Sequence, residues 1–341
     1  IAPVFAVLAV PGLGGYAAAQ GGFIAFGLFF ILVSYIIRVA GIVWLDVIFP
    51  PAAMEAIVAI IGLELAPVAT EMAGLTGKLI EQLGIPYATA VTVSMFTLAV
   101  TILGSVLFRG FIAVIPVLIG VIAGYVLSLF MGIVDLKAVI DAPWFEIPTL
   151  YAPTFNLTAI LMIMPAALVV LAEHIGHLVV TGNIVEQDLV RDPGLHRSLL
   201  GEGISNVLSC LVGATPSTTY GEVIGVAAVI AIVISFIGKF AALIRSIPVP
   251  VMGGVCILLF GVIAAAGIRM LIEKKVDYTK SKNLILTSVV LISGISGAAV
   301  KFGTIELKGM ALGTIVAIVV SILFEIFNRM GISNDLEKAS K

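Results

Sequence analysis

Residues 156–185 read NLTAILMIMPAALVVLAEHIGHLVVTGNIV. This stretch is long and apolar enough to cross a bilayer as a helix, which takes about 20 residues. It nevertheless contains Glu173, and an ionisable side chain at membrane depth costs roughly 2.5–3.5 kcal/mol on insertion scales. Such a residue marks by default the path of a substrate or a proton. The stretch therefore predicts a membrane-spanning helix that carries a functional carboxylate.

The rest of the chain is equally apolar. Its 341 residues are 61% hydrophobic and 11% charged, and the mean hydropathy is +1.23, whereas soluble domains carry roughly 25% charged residues. The net charge of −2 argues against a nucleic-acid partner, and two cysteines in apolar runs argue against a disulfide framework. We predict an all-α polytopic membrane protein. Its apolar segments are expected at 1–20, 22–44, 52–68, 87–108, 111–132, 157–182, 198–213, 223–244, 249–271, 284–300 and 308–327.

Cationic residues concentrate in two stretches, 185–198 and 268–283. By the positive-inside rule both stretches face the cytoplasm, and the basic residues near the C-terminus place that end there as well. A conflict follows if 223–244 is one simple span, because the second stretch would then lie outside. Either 223–244 is not a simple span, or a crossing is missing within it.

Glu173 and His177 form the first group with chemistry. They are four residues apart, so on a helix they share a face, while His174 points about 100° away. A desolvated carboxylate beside an imidazole can share or relay a proton. A pair that only joins neighbouring helices is one alternative. A metal site is another, although EHxxH matches neither HExxH nor HxxEH. An intramembrane enzyme would need a nucleophile or a metal set that the sequence lacks, so we predict no catalytic, metal or cofactor site.

The stretch ATPSTTYGE (214–222) forms the second group and ends on Glu222. Its Pro, Ser, Thr and Gly residues predict a break between two apolar runs. Irregular backbone at membrane depth occurs where it is buried in protein or lines a cavity, and broken helices of this kind build transporter binding sites. An ordinary extramembrane loop is the alternative.

Two further stretches interrupt or modify apolar runs. In IPVPVMGGVCILLFGVIAAAGIRM (247–270), Gly253, Gly254 and Gly261 are expected to let helices approach closely. Phe260 could stack on a planar ligand or simply pack. The start, IAPVFAVLAVPGLGG, is also broken by Pro and Gly, and one early and one late broken segment indicate paired inverted repeats. Glu55 and Glu64 are interpreted as helix-end or interhelical groups outside the site.

Several strings together resemble one transporter family. PAALVVLAEHIGHLVVTGNIV, DLVRDPGLHRSLLGEGISN, TPSTTYGEVIGV, IPVPVMGGV, KNLILTSVVLISGISGAAV and ELKGMALGTIV closely resemble the uracil permease branch of the nucleobase–cation symporter-2 (nucleobase–ascorbate transporter) family. The resemblance covers essentially the whole chain. It implies fourteen transmembrane segments in two inverted seven-segment repeats, a core and a gate domain, and a base bound between two short strands in broken helices.

The resemblance also implies roles for individual residues. Glu173 and Glu222 correspond to the two carboxylates that bind the base, with Tyr220 and Gly221 beside the second one. His177 corresponds to the histidine of proton coupling, and Phe260 lies where the branch has a gate-domain Tyr. The Tyr-Gly-Glu triplet implies a proton-coupled uracil symporter of the bacterial inner membrane, with another nucleobase such as xanthine as the alternative. Two site carboxylates argue against a related carrier of sulfate or another anion.

The implied domain order follows the chain. The core domain takes 1–46 and 155–246, the gate domain and linker take 47–154, the second gate part takes 247–327, and 328–341 is a cytoplasmic tail. The implied partners are uracil, H⁺ and membrane lipid, and a homodimer through the gate domain is left open. The chain departs from the pattern in lacking the first two segments, in lacking about half a helix between Val226 and Ala227, and in having Val223 after the site glutamate. Restoring that half helix would resolve the orientation conflict.

Overall fold

A computed structural model describes residues 7–8, 12–147, 150–218, 225–302 and 305–333. These ranges are mostly helical, and each helix follows the apolar pattern of its segment. The helices are α1 (Gly15–Ala40), α2 (Val43–Ile48), α3 (Pro51–Met72), α4 (Lys78–Gln82), α5 (Tyr87–Leu107), α6 (Pro116–Phe130), α7 (Lys137–Asp141), α8 (Leu157–Val185), α9 (Leu195–Leu211), α10 (Gly225–Ser235), α11 (Gly238–Arg245), α12 (Val249–Glu273), α13 (Ser281–Ile295) and α14 (Gly309–Arg329).

Within the described ranges, six helices are long and apolar enough to cross a membrane. They are Gly15–Ala40, Pro51–Met72, Tyr87–Leu107, Leu157–Val179, Val249–Glu273 and Gly309–Arg329. Two shorter apolar helices, Pro116–Phe130 and Ser281–Ile295, add to this set. The prediction of a polytopic helical membrane protein is confirmed at this level.

The chain divides into two compact units. Unit one comprises residues 1–60, 149–224 and 266–341, and unit two comprises residues 61–148 and 225–265. Each unit is therefore assembled from segments that are distant in sequence. The predicted core and gate boundaries are a separate proposition and stay a prediction.

In unit one, α8 begins at a well-formed cap and lies against α1. The Asn156 side chain accepts hydrogen bonds from the backbone N–H of Thr158 (2.9 Å) and Ala159 (3.3 Å), which satisfies two donors that the first turn of a helix leaves free. A Cβ atom on Gly21 would collide with the carbonyl oxygen of Thr154, just before α8. The small residue therefore sets how closely α1 and the start of α8 approach.

Glycines also bring α9 against α1. A Cβ on Gly27 would lie 2.8 Å from the Gly203 oxygen, and a Cβ on Gly203 would lie 2.7 Å from the Gly27 oxygen. Small residues of this kind allow close backbone packing in membrane helices. Further along, the Ser34 hydroxyl donates to the backbone oxygen of His196 at 2.5 Å. The N-terminal half of α9 is thus fixed on α1 at two levels.

In unit two, two of the three glycines predicted to permit close approach do so. A Cβ on Gly253 would collide with the Ala73 backbone, and a Cβ on Gly254 would collide with the Ser94 oxygen. A Cβ on Gly261 would meet no atom of the described residues within 4 Å. The prediction for Gly261 was wrong, because that face of α12 has open space beside it.

The predicted single span at 223–244 is two helices, α10 and α11. Between these helices the backbone bonds to residues 144–146 instead of continuing one helix. Glu146 N–H donates to the Phe236 oxygen (3.0 Å), and Gly238 N–H donates to the Trp144 oxygen (3.2 Å). Phe145 and Ile237 form the isolated β-bridge between these bonds. The helical hydrogen bonding is therefore interrupted at 236–237, which agrees with the first alternative raised for this segment.

A β-hairpin in unit one was not predicted. Strands β1 (Ala299–Phe302) and β2 (Ile305–Lys308) pair antiparallel, with Ala299 opposite Lys308. The sequence prediction extended a helix to residue 300 and began the next one at 308. Helix α13 instead ends at Ile295, and Gly297 adopts a positive φ of 71° that turns the chain into β1.

Candidate functional site

Glu173 and His177 lie together on α8, as their spacing predicts. The Glu173 Oε1 and His177 Nε2 atoms are 3.5 Å apart, and their side chains are 11% and 29% exposed. This distance is longer than that of an ordinary hydrogen bond. Both residues lie within the membrane-spanning range Leu157–Val179. The geometry permits the pair to hold a proton between a nearly buried acid and a more accessible base.

A second pair, His174 and Glu202, lies on the adjacent face of α8. This pair was not predicted from the sequence. His174 is fully buried, and its Nδ1 contacts the carboxylate of Glu202 on α9. Its Nε2 lies 2.8 Å from the Ser198 hydroxyl, so both ring nitrogens have a partner. Because one helical residue corresponds to 100°, His174 faces α9 while Glu173 faces a direction 100° around the axis.

The pattern of α9 contains a signal for Glu202 that the sequence reasoning passed over. The buried residues of this helix form one stripe: Leu195, Leu199, Glu202, Gly203, Asn206 and Cys210. Their spacing is that of one helical face. An acidic residue on an otherwise buried stripe must find a partner, and the fully buried imidazole of α8 supplies it.

The predicted break after α9 is present over residues 214–218, which have no regular secondary structure. Its path is anchored: the Ser217 N–H donates to Asn206 Oδ1 at 2.8 Å, and the Tyr16 hydroxyl donates to the Gly213 oxygen at 3.2 Å. A Cβ on Gly213 would lie 2.5 Å from the Tyr151 backbone nitrogen. These contacts fix the backbone position of the segment that leads from α9 to the predicted binding strand.

Three of the predicted substrate-binding residues, Tyr220, Gly221 and Glu222, lie outside the described residues. Phe260 is on α12 in unit two, half-buried, and its backbone oxygen is where a Cβ on Gly62 would collide. Glu173 and His177 belong to unit one. The structure therefore brings two members of the predicted set together, and the roles of all six residues stay predictions.

Glu55 lies on a buried face of α3. It lies in the first half of α3 with a fully buried side chain, and neither carboxylate oxygen has a hydrogen-bond partner among the described residues. Gly267 of α12 packs against its backbone oxygen. Glu55 is thus a buried group where α12 covers α3, which is the interhelical alternative of its interpretation rather than the helix-end one.

A cavity of about 670 Å³ lies at the C-terminal end of α8, within unit one. Its walls come from α2, the start of α3, one face of α8 and the turn that follows it. The described lining includes neither Glu173 nor His177. It consists of Leu45, Asp46, Phe49, Pro51, Met54, Ile175, Leu178, Val179, Gly182, Glu186, Gln187, Asp188, Leu189, Val190 and Lys274. The cavity therefore borders a different face of α8 from the predicted site.

Comparison with known families gives a match over most of the chain. Residues 3–303 match the model Xan_ur_permease, described as "Permease family". The matched range includes α8, α9 and the break that follows them.

Several curated proteins are similar over nearly the whole chain. A protein named uracil permease from Escherichia coli K12 is 58% identical over 342 residues, which covers 96% of this chain and 78% of that protein. A uracil permease from Paenibacillus larvae is 53% identical, covering 98% and 82%. One from Bacillus subtilis is 41% identical, covering 95% and 78%.

Proposed function

Because this chain belongs to the Permease family, and within it to the uracil permease branch of the nucleobase–cation symporters, we propose that it carries uracil across the membrane in symport with protons. It is a multi-pass membrane transporter rather than an enzyme, since its relatives are permeases. The high identity to proteins named uracil permease is the single observation that carries the choice of substrate. The Glu173–His177 contact supports the proton as the coupled ion.

The chemistry of the base suits the proposed site. Uracil offers ring N–H donors and carbonyl acceptors along its edge. Glu173 is 9% exposed and accepts from one N–H group, and Glu222 provides the second carboxylate. Backbone amides around Tyr220 and Gly221 donate to the carbonyl oxygens, and Phe260 covers the ring. A base that left any of these buried polar groups unpaired would be rejected.

Proton coupling follows from charge balance in a desolvated site. An ionised Glu173 beside a neutral His177 carries one negative charge, and one proton makes the pair neutral. Uracil is uncharged and displaces water when it binds, which raises the cost of leaving that charge in place. Base binding and proton binding therefore favour one another, and by linkage each increases the affinity for the other.

The architecture we propose is that implied by the family. Two inverted seven-segment repeats form a core domain (1–46 and 155–246) and a gate domain (47–154 and 247–327) that moves in alternating access. The protein lies in the bacterial inner membrane, with 328–341 in the cytoplasm because Arg and Lys concentrate there. A homodimer through the gate domain, embedded in lipid, completes the proposal.

Calorimetry with detergent-purified protein tests the substrate. Uracil and xanthine are each titrated at two pH values. We expect saturable uracil binding whose heat and affinity change with pH, and no binding of xanthine. A preference for xanthine would keep the family and refute Tyr220-Gly221-Glu222 as the determinant of specificity. The absence of uracil binding would refute the proposed substrate.

Proteoliposomes test the coupling. Vesicles are loaded with a pH-sensitive dye, and uracil is added outside without a membrane potential. Symport predicts internal acidification that requires uracil. Uracil entry without any pH change would overturn proton coupling while leaving uracil transport intact.

A further inference from the structure

The buried pair His174–Glu202 has no place in the proposed binding chemistry, yet it lies next to Glu173. We propose that His174, Glu202 and Ser198 form a clamp that sets the rotation of α8 about its axis and thereby aims Glu173 and His177 at the substrate. His174 and Glu202 are positioning residues in this role, because they act through Glu173. The inference rests on the proposed function only for its transport readout.

The clamp is directional because both ring nitrogens of His174 are used. Nδ1 faces the Glu202 carboxylate, and Nε2 lies 2.8 Å from the Ser198 hydroxyl. In the tautomer with its proton on Nδ1, a neutral ring presents that N–H to the Glu202 carboxylate and leaves Nε2 as an acceptor for the Ser198 O–H. The contact with Glu202 and the hydrogen bond with Ser198 hold the ring at opposite edges and fix its orientation, whereas an apolar side chain of similar size would be held by packing alone.

The partner helix gives the clamp a fixed reference. Helix α9 is held on α1 by the mutual backbone contact of Gly27 and Gly203 and by the Ser34 hydroxyl bound to the His196 oxygen. Glu202 is the neighbour of Gly203, and Ser198 lies one turn before it. The clamp residues on α9 therefore have little freedom to follow α8 if it rotates.

A small rotation of α8 about its axis would displace the Glu173 carboxylate. Side-chain tips lie about 5–6 Å from a helix axis. A rotation of about 20° would therefore move the Glu173 carboxylate by about 2 Å. A misplacement of about 1 Å can cost roughly 100-fold in a positioned reaction. Fixing His174, one residue away, fixes the direction of Glu173 with it.

One other buried carboxyl group lies near α8: Glu55 of α3, the helix whose Val58 is beside Gly176 of α8. In unit one, the remaining charged side chains on the described elements that pack against α8 are exposed or, for Glu325, paired at the surface: Arg38, Arg191, Asp192, Arg197, Arg269, Glu273, Glu306, Lys308, Glu325 and Arg329. Glu173 and His177 lie on α8 itself and contact each other. The clamp is thus sealed within the helix packing, and we expect it to leave the pH profile of transport unchanged.

The decisive variant replaces both buried partners with apolar residues. His174→Leu/Glu202→Leu leaves no buried charge unpaired, so the fold is retained, but the direction supplied by the ring is lost. We expect KM for uracil to rise by roughly tenfold or more, with the shape of the pH profile unchanged. The single variant Glu202→Gln, which keeps His174 and an acceptor for its Nδ1–H, should have a near-normal KM. A folded double variant with the normal KM would overturn the clamp.

A control variant and an alternative variant complete this test. Arg269→Leu/Glu273→Leu removes an exposed ion pair of 3.0 Å in the same manner and should leave KM unchanged. If the buried double variant fails to fold, Ser198→Ala removes one of the two ring bonds without exposing a charge. It should raise KM several-fold, and a normal KM would count against the clamp.

A readout that needs no substrate separates this inference from the proposed function. His177→Cys is combined with Cys210→Ser and Cys256→Ser, so that position 177 carries the single cysteine. The rate of its labelling by a maleimide is measured with the clamp intact and with His174→Leu/Glu202→Leu added. The two rates should differ at least threefold, because position 177 turns relative to its surroundings when the clamp is lost. An unchanged rate would refute the clamp even if uracil is transported, and a changed rate would support it even if uracil is not the substrate.

Discussion

Replacing Glu173 with Gln is the most direct test of the carboxylate on α8. The change removes the charge and keeps nearly the same volume, so no cavity is created. The side chain is 11% exposed and its closest charged neighbour is His177 at 3.5 Å. Water can therefore replace very little of what the carboxylate contributes.

The magnitude follows from the kind of hydrogen bond that is lost. A hydrogen bond to a charged group contributes about 1.5–3 kcal/mol. Since 1.4 kcal/mol corresponds to a factor of ten, we expect the Kd for uracil to rise roughly 10- to 150-fold. The Kd of the variant should change less with pH than that of the parent, because the variant has no carboxylate at this position left to protonate.

Calorimetry with purified protein measures the change, and a thermal scan establishes that the variant is folded. Glu186→Gln is the matched control, since Glu186 is the exposed C-cap of the same helix. The control should bind uracil like the parent. A folded Glu173→Gln variant with a Kd within twofold of the parent would refute a direct contact between this carboxylate and the base.

Three other variants have distinct expectations. Glu222→Gln turns a proposed acceptor into a donor and should abolish uracil binding in calorimetry; unchanged affinity would remove Glu222 from the site. His177→Ala should flatten the pH dependence of uptake into proteoliposomes while binding persists, and an unaltered profile would leave His177 a structural residue. Gly203→Ala places a methyl group against the Gly27 backbone and should cost about 1–3 kcal/mol of stability, seen as a lower thermal midpoint. Gly201→Ala is its control, since the part of the chain that the structure describes has no atom within 4 Å of the new Cβ; equal midpoints would contradict the close contact.

Features that depend on local spacing could be read from the sequence. Helix α8 and the contact between Glu173 and His177 follow from apolar length and an i, i+4 spacing, both properties of a single helix. The irregular stretch over 214–218 follows from residues that disfavour helix. These elements need no information about what packs against them.

Features that depend on packing could not. The partner of His174 is Glu202, 28 residues away, and nothing in local spacing joins them. Gly261 has the same composition signal as Gly253 and Gly254, and only the neighbouring helix separates their roles. The strands at 299–302 and 305–308 were missed for another reason: VKF in the first strand and IELK in the second alternate apolar and charged residues, a strand pattern that the prediction of continuous apolar segments passed over.

Each unit is built from separate segments of the chain, and the positions of these segments set the order in which the two units can be completed during synthesis. Unit two has all its segments once residue 265 has left the ribosome, whereas unit one still awaits residues 266–341. The late segments supply Gly267, which packs against α3, and Thr287, whose hydroxyl donates to the Ala52 oxygen at 3.2 Å. The face of α3 that carries Glu55 is therefore covered last during synthesis. A nascent chain passes through a stage in which the insertion machinery or the lipid must accommodate that carboxyl group before its own helices enclose it.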